Sequence, residues 1–487
     1  MNSSVWGKGF TKDNIGEGFP LSSRLFLVLV PIMIALPLGV VIGRVSFLFA
    51  AGIVGALLMV LAIALRQDQL AAILVVAVRV YIDWYAGLDL ATLLIVPTLL
   101  LVFFLARSAR FPWSQPRVLW LWVIFLILAL SPAMRGISFS DGIYYYSTVI
   151  FSALLMLWLG SIVARDLRGL FILLTFFGTL IAIHTIIEAN TGIFLLKTTL
   201  QTGYASRVGT FTIGAGNSRA ESFFLNPNST GGFFSLMICI SLGLVLASSS
   251  LLGKVCFFIE TCILTLALLF TYSAGSWVAT CAGLLVFFIL VGRNSYRLLL
   301  SSIILVSGGL IIALLPDQLN LLLHHATSVN EIPSRIGAWQ TGIEVIRTFP
   351  LTGVGLGRHV YVLRAEPYRA VTQLKPLDHP HNSILELAAL GGIPLGIVFV
   401  ALLVFTLWLA FRNWLHADVR SRILIGSGIA AAIALTCYSM TDAGWTLPPL
   451  LAIGWLILGA VSSPFLTKDL SRAMKQAEKS SSDQEKF

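Results

Sequence analysis

The sequence predicts an all-α fold: a polytopic transmembrane helix bundle of about 12–14 helices, with a long, partly helical periplasmic or extracellular loop. Three observations predict it. Hydrophobic residues fill 57% of the 487 positions and charged residues only 11%, whereas a soluble domain carries about 25% charged residues to cover its surface. Mean hydropathy is +0.91. Apolar runs long enough to span a bilayer recur along the chain. A surface this apolar must face lipid, so length alone gives no domain count.

Residues 1–24 are polar, and the first apolar run continues from Leu25 to Ile42. It is too long for a signal-peptide core and has no small-residue cleavage site, so it reads as a retained helix. Candidate spans lie near 25–43, 46–65, 69–85, 90–106, 118–134, 144–164, 169–188, 229–248, 255–272, 276–292, 298–315, 384–411, 423–440 and 446–462. With the N-terminus inside, the short inner loops collect Arg66, Arg107, Arg110, Arg117, Arg165, Arg168, Lys254, Arg293, Arg297, Arg412, Arg420 and Arg422. The C-terminal tail adds Lys468, Arg472, Lys475, Lys479 and Lys486, while the short outer loops hold only Arg44 and Arg135. This is the asymmetry that the positive-inside rule describes. It assigns the net charge of +10 to a cell membrane rather than to nucleic acid.

The chain therefore divides into N-terminal helices (1–188), a first long outer loop (189–228), central helices (229–315), a large outer loop (316–383), C-terminal helices (384–465) and a polar cytoplasmic tail (466–487). Cys239, Cys256, Cys262, Cys281 and Cys437 all lie in apolar runs. No disulfide framework and no zinc spacing follows from them.

The two long loops carry Lys197, Arg207, Arg219, Arg335, Arg347, Arg358, Arg364, Arg369 and Lys375. Such a basic surface suits lipid headgroups, a phosphate or an acidic glycan, and ordinary loop solvation is the alternative at any single position. In the second loop, Pro333-Ser334-Arg335 opens a helical pattern with Ile336, Trp339, Ile343 and Ile346 on one stripe, ending near Arg347. This segment is expected along the membrane interface or over a cavity. The turn from Pro350 to Gly357 is glycine-rich and allows close approach of backbone to a neighbour or ligand. No strand precedes it, which excludes a dinucleotide site.

The densest polar stretch is Asp378-His379-Pro380-His381-Asn382-Ser383-Ile384-Leu385-Glu386. Ser383 and Glu386 have capping-box spacing, which places a helix N-terminus at Ser383. His381 then lies beside unpaired amides and the positive end of a helix dipole, a field that favours a neutral imidazole and a bound anion such as a diphosphate. A histidine base beside an anion site suits transfer from a lipid phosphate; a loop histidine bonded to backbone is the plain alternative. A metal reading also exists, in which Asp378, His379 and His381 would form part of a site with His324-His325 nearby in sequence, but no further ligand is spaced to complete the shell. In the first loop, Arg219 approaches a helix capped by Asn228 or Ser229. Within the bilayer, Arg79/Asp83 and His184/Glu188 are pairs four apart near helix ends, where pairing or snorkelling accounts for them.

Arg335-Ile336-Gly337-Ala338-Trp339, then Phe349 to Gly357, then His379-Pro380-His381-Asn382 resemble the signature region of the O-antigen ligase and O-antigen polymerase family. Arg219 and Phe224-Leu225-Asn226-Pro227-Asn228 look like that family's loop before its mid-chain helices. The detailed likeness covers roughly 219–410. It implies a membrane glycosyltransferase that uses an undecaprenyl-diphosphate-linked glycan as donor and a glycan or lipid-linked glycan hydroxyl as acceptor, with no cofactor or essential metal. Carried over by position, His381 would activate the acceptor hydroxyl and Arg335 would bind the donor diphosphate. Arg219, Arg207, Asn382 and His379 would contact substrate, with His379 as the fallback base. One departure stands out: where many members carry Ser-Arg-Gly, this chain has Ser273-Ala274-Gly275, leaving Arg219 or Arg207 to supply the charge. The competing reading is a polysaccharide or lipid-linked-oligosaccharide transporter or flippase, which inverted repeats and broken midplane helices would signal; no convincing repeat is present. A structural scaffold, the third class, would need neither His381 nor Arg335.

Overall fold

The computed structural model describes residues 116–191, 212–213, 217–224, 226–291, 331–373 and 376–466, with isolated positions between 297 and 323. The spans predicted before residue 116, most of the 298–315 run, Arg79 and Asp83, Lys197, Arg207 and the tail from 467 lie outside them.

Among the described residues, five helical stretches are long and apolar enough to cross a membrane: Phe139–Thr191, Pro227–Ala247, Leu251–Phe270, Ile393–His416 and Val419–Tyr438. The protein is thus a multi-pass membrane protein. In chain order the helices are α1 (Pro116–Arg135), α2 (Phe139–Tyr145), α3 (Ser152–Val163), α4 (Leu167–Thr191), α5 (Pro227–Ala247), α6 (Leu251–Phe270) and α7 (Ala274–Leu290). The long connection after α7 adds α8 (Glu331–Thr348) and α9 (Arg358–Ala365), followed by α10 (Ser383–Gly391), α11 (Ile393–His416), α12 (Val419–Tyr438) and α13 (Pro448–Val461). A two-residue antiparallel pairing, β1 (Thr212–Ile213) with β2 (Asn217–Ser218), is the small addition to the all-α expectation.

Two boundaries differ from the sequence reading. The runs at 144–164 and 169–188 belong to one helical stretch of 53 residues, interrupted by a π turn at Tyr146–Phe151 and a 3-10 turn at Ala164–Asp166. At about 1.5 Å per residue it exceeds twice the ~30 Å hydrocarbon thickness, which is length enough for two crossings. The run at 384–411 is broken at Gly392, whose φ of +86° no side chain adopts readily. Helix α8 buries Ala338, Thr341, Gly342 and Val345, leaves Ile336 and Ile343 of the predicted stripe exposed and half-buries Trp339 and Ile346.

Packing is tight where side chains are small. At Gly160 and Gly459 a Cβ would collide with the backbone of the facing helix, so α3 and α13 meet backbone to backbone, as small residues permit between membrane helices. Beside them, Trp122 and Trp445 each lie against Trp455, with ring centroids 5.3 and 5.0 Å apart. The Trp445 indole N–H donates to Thr436. This aromatic core holds the connection between α12 and α13, which carries part of the site.

Candidate functional site

Helix α10 starts at Ser383 because Asn382 caps it: Asn382 Oδ1 accepts the amides of Ile384 and Leu385 at 3.0 and 3.1 Å. The capping box expected at Ser383 is absent. Both residues are good caps, and Asn382 has the extended backbone (φ −160°) the position requires. The same displacement occurs at α5, which is capped by Asn226 ahead of Pro227 rather than by Asn228 or Ser229.

Released from capping, Ser383 stitches two segments together. Its amide donates to the Ser439 carbonyl at 3.0 Å, and its Oγ accepts the Trp445 amide at 3.1 Å. The connection from Ser439 to Thr446 is thereby laid against the His-Pro-His stretch, and it delivers Asp442. Asp442 Oδ1 lies 3.4 Å from His379 Nε2 and 3.6 Å from His381 Nδ1. On its other side, His379 Nδ1 meets Asp378 Oδ1 at 2.6 Å. The two imidazoles are 4.4 Å apart between centroids.

Burial alone would lower the basicity of His379, but Asp378 and Asp442 outweigh it and raise the pKa to about 9. Burial would likewise raise Asp442; the approach of His379 and His381 holds its carboxyl well below the usual range. The same balance, with His379 and Arg358 as the cations, depresses Asp378. At neutral pH this leaves a cationic His379 between two carboxylates, with His381 at the partly exposed edge.

Arg335 and Trp339 lie four apart on α8, on one helix face. The Trp339 indole donates to the His381 carbonyl at 3.4 Å, and Arg335 Nη1 donates to the Thr441 carbonyl at 3.0 Å. Pro380 packs over Gly342 of the same helix. Arg335 Nη1 would also lie 3.6 Å from a Cβ placed on Gly275, so it reaches the 271–276 turn. Arg219 reaches that turn from the other side. It is buried, its Nε donating to the Thr271 carbonyl at 3.0 Å and its Nη2 to Asn228 Oδ1 at 2.6 Å. Glu188 holds the segment bearing Arg219 by accepting the amides of Glu221 and Ser222, and Ser222 in turn contacts His184 Nδ1 at 3.2 Å.

Among the described residues, the non-glycine positions with positive φ are Ser222, Tyr272 and His381, near +50° each. One falls in each of the three loops that meet here. Such strain persists where surrounding contacts over-determine it, and it concentrates at functional sites.

A second charged group underlies the first. Glu386 is fully buried; it accepts from the Tyr145 hydroxyl at 2.9 Å and the Thr446 hydroxyl at 2.6 Å, and pairs with Arg358 Nε at 3.5 Å. Arg358 also reaches Asp378 at 3.5 Å. The glycine-rich turn builds this corner: Val354 and Gly355 amides donate to the Ala389 and Leu390 carbonyls, and Leu356 to Pro132. Its close approach is to neighbouring backbone.

The predicted residues Arg335, His379, His381 and Asn382 are therefore gathered around Thr441 and Asp442, and Arg219 stands across the 271–276 turn from Arg335. The side chain of Asn382 is engaged in capping and in donating to the Met440 carbonyl. Arg207 lies outside the described residues. Sequence reasoning missed Asp442, Arg358 and the charge role of Glu386. Asp442 did leave a signal: it is an acid between the last two apolar runs, in a loop predicted to share the outer face with His381.

Residues 261–400 match the sequence family described as O-antigen ligase (Wzy_C). This segment of a membrane protein is similar to O-antigen ligases; it contains Ala274, Arg335, His379 and His381 and excludes Arg219 and Asp442. No curated protein matches the chain.

Proposed function

We propose that this protein is a membrane glycosyltransferase of the O-antigen polymerase or ligase type, transferring a glycan from an undecaprenyl-diphosphate donor to a sugar hydroxyl at the outer face of the cell membrane. The observation that carries the proposal is the convergence of Arg335 and His381, both inside the O-antigen ligase segment, on the Thr441–Asp442 turn. Glycan polymerisation is favoured over ligation, since nothing in the chain points to a lipid A core site.

In this reading Asp442 orients His381 through Nδ1, leaving Nε2 to take the acceptor proton. The acceptor oxygen forms a bond to the anomeric carbon as the bond to the diphosphate breaks, and the lipid diphosphate departs with the bonding electrons. Arg335, positioned by its bond to the Thr441 carbonyl, stabilises that charge with its guanidinium. Arg219, across the turn from Arg335, supplies positive potential where Ala274 stands. His379, already cationic, fixes Asp442 and does not act as the base.

The test follows lipid-linked glycan chain length in cells producing His381→Ala or Arg335→Ala, with protein level measured in parallel. Loss of elongated product in both is expected. Unchanged product from both overturns the assignment. Reporter fusions at residues 200 and 365 check the orientation, and a cytoplasmic signal from either would reverse it.

A further inference from the structure

The geometry points to a transition-metal site of the Zn2+ class formed by His379, His381 and Asp442, which the sequence alone could not complete. Each residue offers one donor atom, and the three lie within 4.8 Å of one another. Two ligands held about 2.0–2.1 Å from a tetrahedral zinc are separated by about 3.4 Å. The observed separations of 3.4 Å (His379 Nε2 to Asp442 Oδ1) and 3.6 Å (His381 Nδ1 to Asp442 Oδ1) already approximate those edges. The missing fourth position belongs to water or a substrate oxygen.

A second observation points the same way. Asp442 is 6% exposed, and its Oδ2 makes no hydrogen bond among the described residues, nor does His381 Nδ1. The Tyr438 hydroxyl approaches Asp442 without completing one. Buried polar atoms are nearly always paired, so an unpaired carboxylate oxygen beside an unpaired imidazole nitrogen suits a shared cation. The surroundings match as well. Asp378 accepts from His379 Nδ1 and so aims Nε2 at Asp442, the carboxylate–histidine arrangement that supports metal ligands.

Two imidazoles and one carboxylate favour Zn2+, Ni2+, Co2+ or Cu2+ over Mg2+ and Ca2+. Binding displaces the proton between His379 Nε2 and Asp442 to solvent. Coordination through His381 Nδ1 leaves the proton on Nε2, where it can no longer accept one. The metal therefore acts as an off-switch for any proton transfer by His381.

The full chain, purified in detergent micelles and stripped with a chelator, is titrated with ZnCl2 against a chromophoric zinc chelator. One equivalent is expected to bind, unaffected by excess Mg2+. Asp442→Asn and His379→Gln should each weaken binding at least about tenfold, and His416→Gln, at the opposite helix end, should not. Thermal unfolding without metal establishes that the variants fold; if either does not, X-ray absorption of the zinc-loaded wild type must still give two imidazoles in the shell. Absence of stoichiometric binding by wild type, binding undiminished in both folded variants, or a shell without histidine overturns the site. Because the readout is binding, the site stands or falls separately from glycan transfer; where transfer is measured, zinc should suppress it and chelator restore it.

Discussion

At one end of the bundle, where α3, α6, α11 and α12 begin or finish, Arg165, Arg168, Arg412 and Arg420 are exposed. At the other end Glu386, Asp442, His379 and Arg219 are buried. The first set rests on aromatic faces at the surface: Arg165 lies over Phe465 and Arg412 over Trp408, while the neighbouring, half-buried Arg422 lies over Trp414 and donates to the last carbonyls of α11. The second set is held by residues distant in sequence, as in the bond from Tyr145 to Glu386 or from Arg335 to Thr441. An exposed charge is well solvated wherever it sits, so its position is constrained mainly by which side of the membrane it occupies. A buried charge loses its hydration and is tolerated only with good partners. The comparison teaches that charge at one end is placed by solvation, and at the other by geometry.

Mutations can break this contrast in graded steps. The largest effect is expected from Glu386→Ala, which leaves Arg358 paired with Asp378 and removes an acceptor of the buried Tyr145 and Thr446 hydroxyls. Such a loss costs about 3–5 kcal/mol and should lower the thermal midpoint in detergent strongly; a small shift would mean the pair is not functionally buried. Asp442→Asn should leave folding largely intact and reduce glycan transfer by about 10²-fold or more, read from the rate of chain elongation. Asn382→Ala removes the α10 cap, costing about 1 kcal/mol, and should slow transfer as well because the cap sets the position of His381. Arg420→Ala, at the basic end, should change stability by no more than about 0.5 kcal/mol.

A pH series sharpens the same contrast. His379 is raised to about 9 in the folded protein, above an unfolded value of about 6.5. Its stabilising contribution is complete below about 6.5 and disappears as pH rises through about 9. Asp378 and Asp442 are depressed, so theirs is present above about 3.9 and is lost as pH falls towards their folded values. Unfolding midpoints should therefore decline at both extremes, and His379→Gln should remove the alkaline decline and weaken the acid one, since His379 helps to depress both carboxyls.

The helical architecture was legible because a bilayer demands long apolar runs, and those runs survive as α4, α5, α6, α11 and α12. Details that depend on single residues were less so. Asn382 and Ser383 are chemically similar caps, and only the backbone conformation decides between them. The Ile336–Ile343 stripe has helical period, yet tertiary packing chose the small face of α8 to bury. Arg335, His379 and His381 were visible through motif resemblance. Asp442 was not, since its contacts cross 61 residues and no local spacing encodes them; Arg358 was hidden likewise, its partners Asp378 and Glu386 lying across a turn and a loop.

The stitch from Ser383 to the α12–α13 connection has a consequence for biosynthesis. The O-antigen ligase segment ends at residue 400, whereas Thr441 and Asp442 follow after one further membrane helix. A nascent chain halted after α11 would carry both histidines and Arg335 but lack the Thr441 and Asp442 groups that bring them together. The site is therefore assembled late, when α12 has been inserted and its loop has folded back onto α10, so the growing chain would remain inert until its last helices are made.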